Sequence, residues 1–120
     1  MENFNSTASK GITNLEYLIN ISNGNAKFAW EMIRIFLVEN PEEIEVLEKS
    51  IELKDFDLIK ATAHKLKSTI PFIGLDKVIG HEVSEMERLA ESKSDIMLIH
   101  ALFLIIRDAC EKACIELRPV

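Results

Sequence analysis

Apolar residues along this chain recur at steps of three and four, and no stretch alternates like a strand over any useful length. Leu15, Leu18 and Ile21 space a short helix over 14–21, and "SNGN" (22–25) follows as a turn, since Asn and Gly tolerate positive φ. Phe28, Met32, Ile35 and Phe36 mark the buried stripe of a helix from Ala26 to Glu39. Asn40 then reads as the cap of a separate helix, with Pro41 at its first position and Glu43 at its third. Ile44, Leu47 and Ile51 give that helix its buried face. Asp55 is the next N-cap, and Ile59, Ala63, Leu66, Ile70 and Ile73 form a clear 3.6-period stripe behind it. Pro71 predicts a kink or weakened turn, and Gly74 suits the residue just past a helix end. A helix over 76–90 buries Val78, Ile79, Val83, Met86 and Leu89. The loop "ESKSD" (91–95), with Ser94 as cap, leads into a last helix over 95–117 that is apolar almost all round until Ile106.

Amphipathic helices joined by short connections predict an all-α fold, an antiparallel up-and-down four-helix bundle with one or two additional short N-terminal helices. Residues 1–11 read as a flexible polar tail, and 12–120 as a single domain of ordinary size among the 120 residues. Only three prolines and four glycines interrupt the chain, which favours long elements over many turns.

Charge narrows the functions. With 14 basic against 20 acidic residues the net charge is −6, which argues against general nucleic-acid binding. The longest unbroken apolar run, "ALFLII" (101–106), is too short to span a membrane, and "MENFNSTASKG" does not read as a secretory signal. Cys110 and Cys114 lie one turn apart on one helix, where a disulfide is not favoured. Reduced, buried thiols in a cytoplasmic protein are the expectation.

The stretch "ATAHKLKST" (61–69) carries the candidate chemistry. Ala63 belongs to the core stripe, so His64 falls at its edge or outside it. Its own face holds Lys60, Ala61, Lys67 and Ser68, two cations and two small side chains. A metal site would need more ligands in reach, and a general base would want a carboxylate, of which only Asp57 occurs between Phe56 and Leu75. An exposed, largely neutral imidazole offers one nucleophilic ring nitrogen, and lysines beside it would stabilise a phosphoryl group built there. A solvated histidine on a soluble, charged face is the plainer alternative.

"AHKLKST" resembles the Ala-His-x-Leu-Lys-Gly-Ser signature of histidine-containing phosphotransfer (HPt) domains. The run "NGNAKFAWEMIRIFLVENPEEIEVLEKSIELKDFDLIKATAHKLKS", with Gly74 and "EMERLA" (85–90) beyond it, is similar to the same family, from about Leu15 to the C-terminus. The resemblance implies a phosphocarrier without kinase activity of its own. In that role His64 accepts a phosphoryl group from a receiver-domain phospho-aspartate and passes it to another receiver, and Lys67 steadies the phosphoryl oxygens. It further implies no cofactor and no metal on this chain, with Mg2+ on the partner receiver. Partners would be response-regulator receivers and a hybrid sensor histidine kinase, with a docking face that includes Lys60, Ala61, Lys65 and Ser68. Ser68 stands where the family most often has glycine. Its hydroxyl has the His64 carbonyl or a phosphoryl oxygen as expected partners.

Two other classes fit parts of the pattern. One is a bundle that binds receivers or kinases without being phosphorylated. The other is the dimerisation and histidine-phosphorylation part of a sensor kinase, though Lys65 stands where that family has an acidic residue and a monomer is the expectation here. His81 reads as a surface residue and His100 as partly buried. Ile99, Leu102, Phe103 and Ile106 suffice for the bundle seam, so Met97, Leu98, Leu104 and Ile105 need another cover. The N-terminal segment is favoured over a dimer or partner contact.

Overall fold

Two asparagine and aspartate caps set the frame. Asn25 Oδ1 accepts from Phe28 N at 3.0 Å, and Asp55 Oδ1 accepts from Leu58 N at 3.1 Å. Each satisfies an amide that the first turn of a helix leaves without a partner. The computed structural model describes residues 11–118 and contains α1 (Glu16–Ser22), α2 (Ala26–Glu52), α3 (Phe56–Thr69), a 3₁₀ turn (Ile70–Ile73), α4 (Asp76–Glu91) and α5 (Ile96–Leu117). Helices α2 to α5 close a four-helix ring in which α3 packs on α4 and α2, and α5 packs on α4 and α2. Short α1 lies mainly across α2 and the 3₁₀ turn. The bundle with one extra N-terminal helix is therefore the predicted architecture. The tail expected over 1–11 lies, apart from Gly11, outside the described residues.

The core runs the length of the ring. Ile33, Leu47, Ile59, Leu66, Ile79, Met86, Ile99, Phe103 and Ile106 are buried, each contributing roughly 1.5–3 kcal/mol by leaving water. The stripes expected of α3 and α5 are the observed ones, and α4 differs only at Val78, which is exposed.

Helix α2 departs from expectation. Asn40 does not cap a new helix: α2 continues through Pro41 for 27 residues. Its buried face is Ala29, Ile33, Phe36, Asn40, Glu43, Leu47 and Ile51, whereas Phe28 and Ile35 face solvent. Asn40 places its amide in the core instead, with Nδ2 donating to Cys110 Sγ at 3.6 Å and Oδ1 accepting from Cys114 Sγ at 3.9 Å. Both thiols are free and buried, and burial pushes the Cys110 thiol up to about 12.

Two further details differ. Asp95, not Ser94, caps α5 by accepting from Leu98 N at 3.1 Å, and His100 is exposed rather than partly buried. Pro71 ends α3 through the 3₁₀ turn, which Gly74 closes at φ 77°. Asn14 N donates to Ile73 O at 2.9 Å there, and a Cβ on Gly74 would fall 2.5 Å from Asn14 O. The segment before α1 is held at its other side by Glu116 near the end of α5. That carboxylate accepts from Ile12 N at 2.6 Å, from Thr13 N at 3.1 Å and from Thr13 Oγ1 at 2.9 Å. This segment therefore meets the far end of α5, and Met97, Leu98, Leu104 and Ile105 remain exposed among the described residues. The cover expected from the N-terminal segment is not made by residues 11–22.

Candidate functional site

Helix α3 turns Ile59, Ala63 and Leu66 into the core, which carries His64 to the outer wall with its side chain 72% exposed. The ring is nonetheless held. Its Nδ1 lies 2.8 Å from Oε2 of Glu87 on α4. The other oxygen of that carboxylate, Oε1, accepts from Lys67 Nζ at 3.3 Å. The Glu87 side chain is only 17% exposed. Burial pushes its carboxyl up, but the hydrogen bonds from His64 and Lys67 outweigh burial and hold it below the usual glutamate range. A carboxylate can only accept, so the proton of this bond sits on Nδ1, and a neutral ring then keeps its lone pair on Nε2.

The orienting carboxylate missing from α3 itself thus comes from the neighbouring helix. The bare cationic environment expected around His64 is also not what the fold builds. Lys60 Nζ pairs with Glu91 at 3.3 Å and Lys67 with Glu87, both across the α3–α4 seam. On the other flank Lys65 Nζ approaches Oε2 of Glu43 on α2 at 3.2 Å, outside hydrogen-bond alignment. Glu43 is buried, which raises its carboxyl above the ordinary range despite Lys65. Its charge in turn raises the Lys65 ammonium. All three lysines therefore carry a carboxylate partner, two from α4 and one from α2.

Ala61 and Ser68 are exposed on the same side of α3, one turn before and one turn after His64. Ser68 Oγ donates to the Lys65 carbonyl at 2.7 Å rather than to that of His64. The expected residues His64, Lys67, Lys60, Ala61, Lys65 and Ser68 are therefore brought to one outer surface of α3. Glu87 is the member of this constellation that local spacing did not identify. Among the described residues, no group of three or more His, Cys, Asp or Glu stands close enough to hold a metal ion.

A four-helix bundle that presents a tethered but open imidazole from mid-helix has the form of a phosphocarrier module. The family model of the Hpt domain matches residues 31–114, and the chain belongs to that family. Phosphotransfer within a phosphorelay, in contact with receiver domains and kinases, is accordingly its general role. No curated protein and no solved structure matches the chain significantly. Among the described residues no helix is long and apolar enough to cross a membrane.

Proposed function

We propose that His64 is the phospho-acceptor of a cytoplasmic phosphorelay, taking its phosphoryl group from the phospho-aspartate of one receiver domain and giving it to another. The observation that carries this reading is the open imidazole in mid-α3 of an Hpt-family bundle, with one nitrogen engaged by Glu87 and the ring 72% exposed. In acceptance, a ring nitrogen lone pair attacks phosphorus, the P–O bond to the aspartate breaks, and its electron pair returns to the carboxylate. Lys67 Nζ, one turn along α3, exchanges part of its pairing with Glu87 for the incoming phosphoryl oxygens. Lys60, Ala61, Lys65 and Ser68 form the docking face, where the small side chains at 61 and 68 let a receiver approach closely. The receiver supplies Mg2+ and most of the catalytic machinery, so this chain contributes positioning and electrostatics and no kinase activity. It acts as a monomer, and residues 12–120 form the working domain.

The test is incubation with a radiolabelled phospho-receiver. Wild type takes up acid-labile label, and His64→Gln takes up none while its circular dichroism and melting stay unchanged. Label retained on His64→Gln refutes the assignment. Lys67→Ala slows transfer without abolishing it, and an unchanged rate removes Lys67 from the mechanism.

A further inference from the structure

Four residues of α3 lie one turn from His64, and the bundle divides them between two sides of the ring. By the helical step of about 100° per residue, Lys60 and Lys67 sit about 40° and 60° to one side of His64. Ser68 and Ala61 sit about 40° and 60° to the other side. Cross-helix pairs say which side is which. Lys60 and Lys67 reach Glu91 and Glu87 on α4, whereas Lys65, further round on the Ser68 side, reaches Glu43 on α2. Nδ1 of His64 is directed at α4, 2.8 Å from Glu87. The two nitrogens of an imidazole occupy opposite edges of the ring, so Nε2, with its lone pair, faces outward on the α2 side. Lys67 therefore flanks the engaged edge of the ring, and Ala61 and Ser68 flank the reactive one. Of those two, only Ser68 has a side-chain donor. Its exposed hydroxyl lies back on the helix, donating to the Lys65 carbonyl at 2.7 Å. A carbonyl at that place in a helix has a backbone partner as well, so the hydroxyl can turn away without orphaning it.

We infer that Ser68 holds the transferred phosphoryl group: once Nε2 carries phosphorus, the hydroxyl leaves the Lys65 carbonyl and donates to a phosphoryl oxygen. This rests on the reading of His64 as phospho-acceptor. No bond to phosphorus forms or breaks in the exchange; one hydroxyl proton changes acceptor, from a neutral carbonyl to a charged oxygen. The bond to the charged oxygen is the stronger, so phosphohistidine is stabilised relative to the phospho-aspartate that supplied it. In the unphosphorylated protein the same hydroxyl, folded back on the helix, leaves the approach to Nε2 clear. This role differs from that of a docking contact in its effect on equilibrium. A docking contact changes the rates of transfer to and from a receiver by one factor and leaves the ratio of phosphohistidine to phospho-aspartate untouched. A bond kept in the free phosphoprotein shifts that ratio.

The experiment equilibrates the full chain with a receiver domain labelled from radioactive acetyl phosphate, and measures both that ratio and the rate of approach to it. Wild type is compared with Ser68→Ala, Ser68→Gly and Ser68→Thr, each shown to be folded by circular dichroism. Ala and Gly both lower the ratio of phosphohistidine to phospho-aspartate by about fivefold, the excess of a charge-assisted hydrogen bond over a neutral one. Gly, with the widest approach, reaches that ratio sooner than Ala. Thr keeps the hydroxyl and with it the wild-type ratio. An unchanged ratio in folded Ala and Gly overturns the inference, whatever the rates do, and leaves the His64 assignment standing. A ratio lowered in Thr as far as in Ala also overturns it, because the hydroxyl is then not the cause. Absence of label on wild type removes the His64 assignment, and this inference falls with it.

Discussion

Replacing Gly74 by alanine tests the packing of the site's supporting corner and can be worked out atom by atom. Gly74 closes the 3₁₀ turn at φ 77°, in the left-handed region, and lies against the backbone of Asn14. An alanine there carries about 1–2 kcal/mol of left-handed strain. Its Cβ would meet Asn14 O at 2.5 Å and Asn14 N at 2.8 Å, backbone atoms that cannot rotate away. Forcing them aside costs about 1–3 kcal/mol more, by analogy with overpacked cores. The stiffer unfolded chain offsets about 0.4–1 kcal/mol, leaving a net loss of roughly 1–4.6 kcal/mol. Gly24 supplies the control, since it has φ 82° but nothing within 4 Å of an added Cβ. Gly24→Ala therefore bears strain alone and costs about 1.6 kcal/mol or less after the same offset. Urea titrations followed by circular dichroism give both values, with equal m-values expected. The melting temperature of Gly74→Ala should fall by about 4–18 °C, and that of Gly24→Ala by about 6 °C or less. Faster hydrogen exchange at the Asn14 amide, whose bond to Ile73 O lies at this contact, should accompany the first change only. Equal destabilisation by the two substitutions would show that the Asn14 contact has no energetic weight, and the reasoning fails.

Two further outcomes follow from buried titratable groups. With the Cys110 thiol pushed up to about 12 by burial, its thiolate fraction at pH 8 is about one in ten thousand, and Cys110 should resist a thiol reagent until the protein unfolds. Stoichiometric labelling of native protein within minutes contradicts this. Glu43 is raised in the fold, so the folded state holds its proton more tightly than the unfolded chain does, and this group lowers stability as pH rises through its folded value. Glu43→Gln should therefore melt higher relative to wild type at pH 8 than at pH 4. A relative melting temperature that is flat, or lower at pH 8, refutes it.

The sequence made α3, α4 and α5 legible because their apolar stripes are unbroken and their ends carry unambiguous punctuation at Asp55, Pro71 and Gly74. It misled at α2 because the true stripe, Ala29, Ile33, Phe36, Asn40, Glu43 and Leu47, keeps helical spacing but passes through two polar residues. Asn40 followed by Pro41 resembles a helix start in isolation. Inside the bundle the asparagine is occupied by Cys110 and Cys114, and one missing backbone donor at Pro41 does not outweigh a continuous core face. At the site, His64, Lys67 and the exposed small residues could be read from one helix. Glu87 could not, because its role depends on how α4 folds back on α3. A signal was present: the midpoint of 64 and 87, and equally of 60 and 91, falls at Leu75–Asp76, directly after the Gly74 turn, and these are the pairs that meet across the seam. Folding the sequence back at that turn brings the glutamate to the histidine.

The sharing of the His64–Glu87–Lys67 cluster between two helices makes the ring a gauge of their alignment. A slip of α4 along α3 by one residue, about 1.5 Å, would change the geometry of both bonds of the carboxylate. A partner gripping both helices would thereby have its hold translated into the protonation geometry of a single nitrogen.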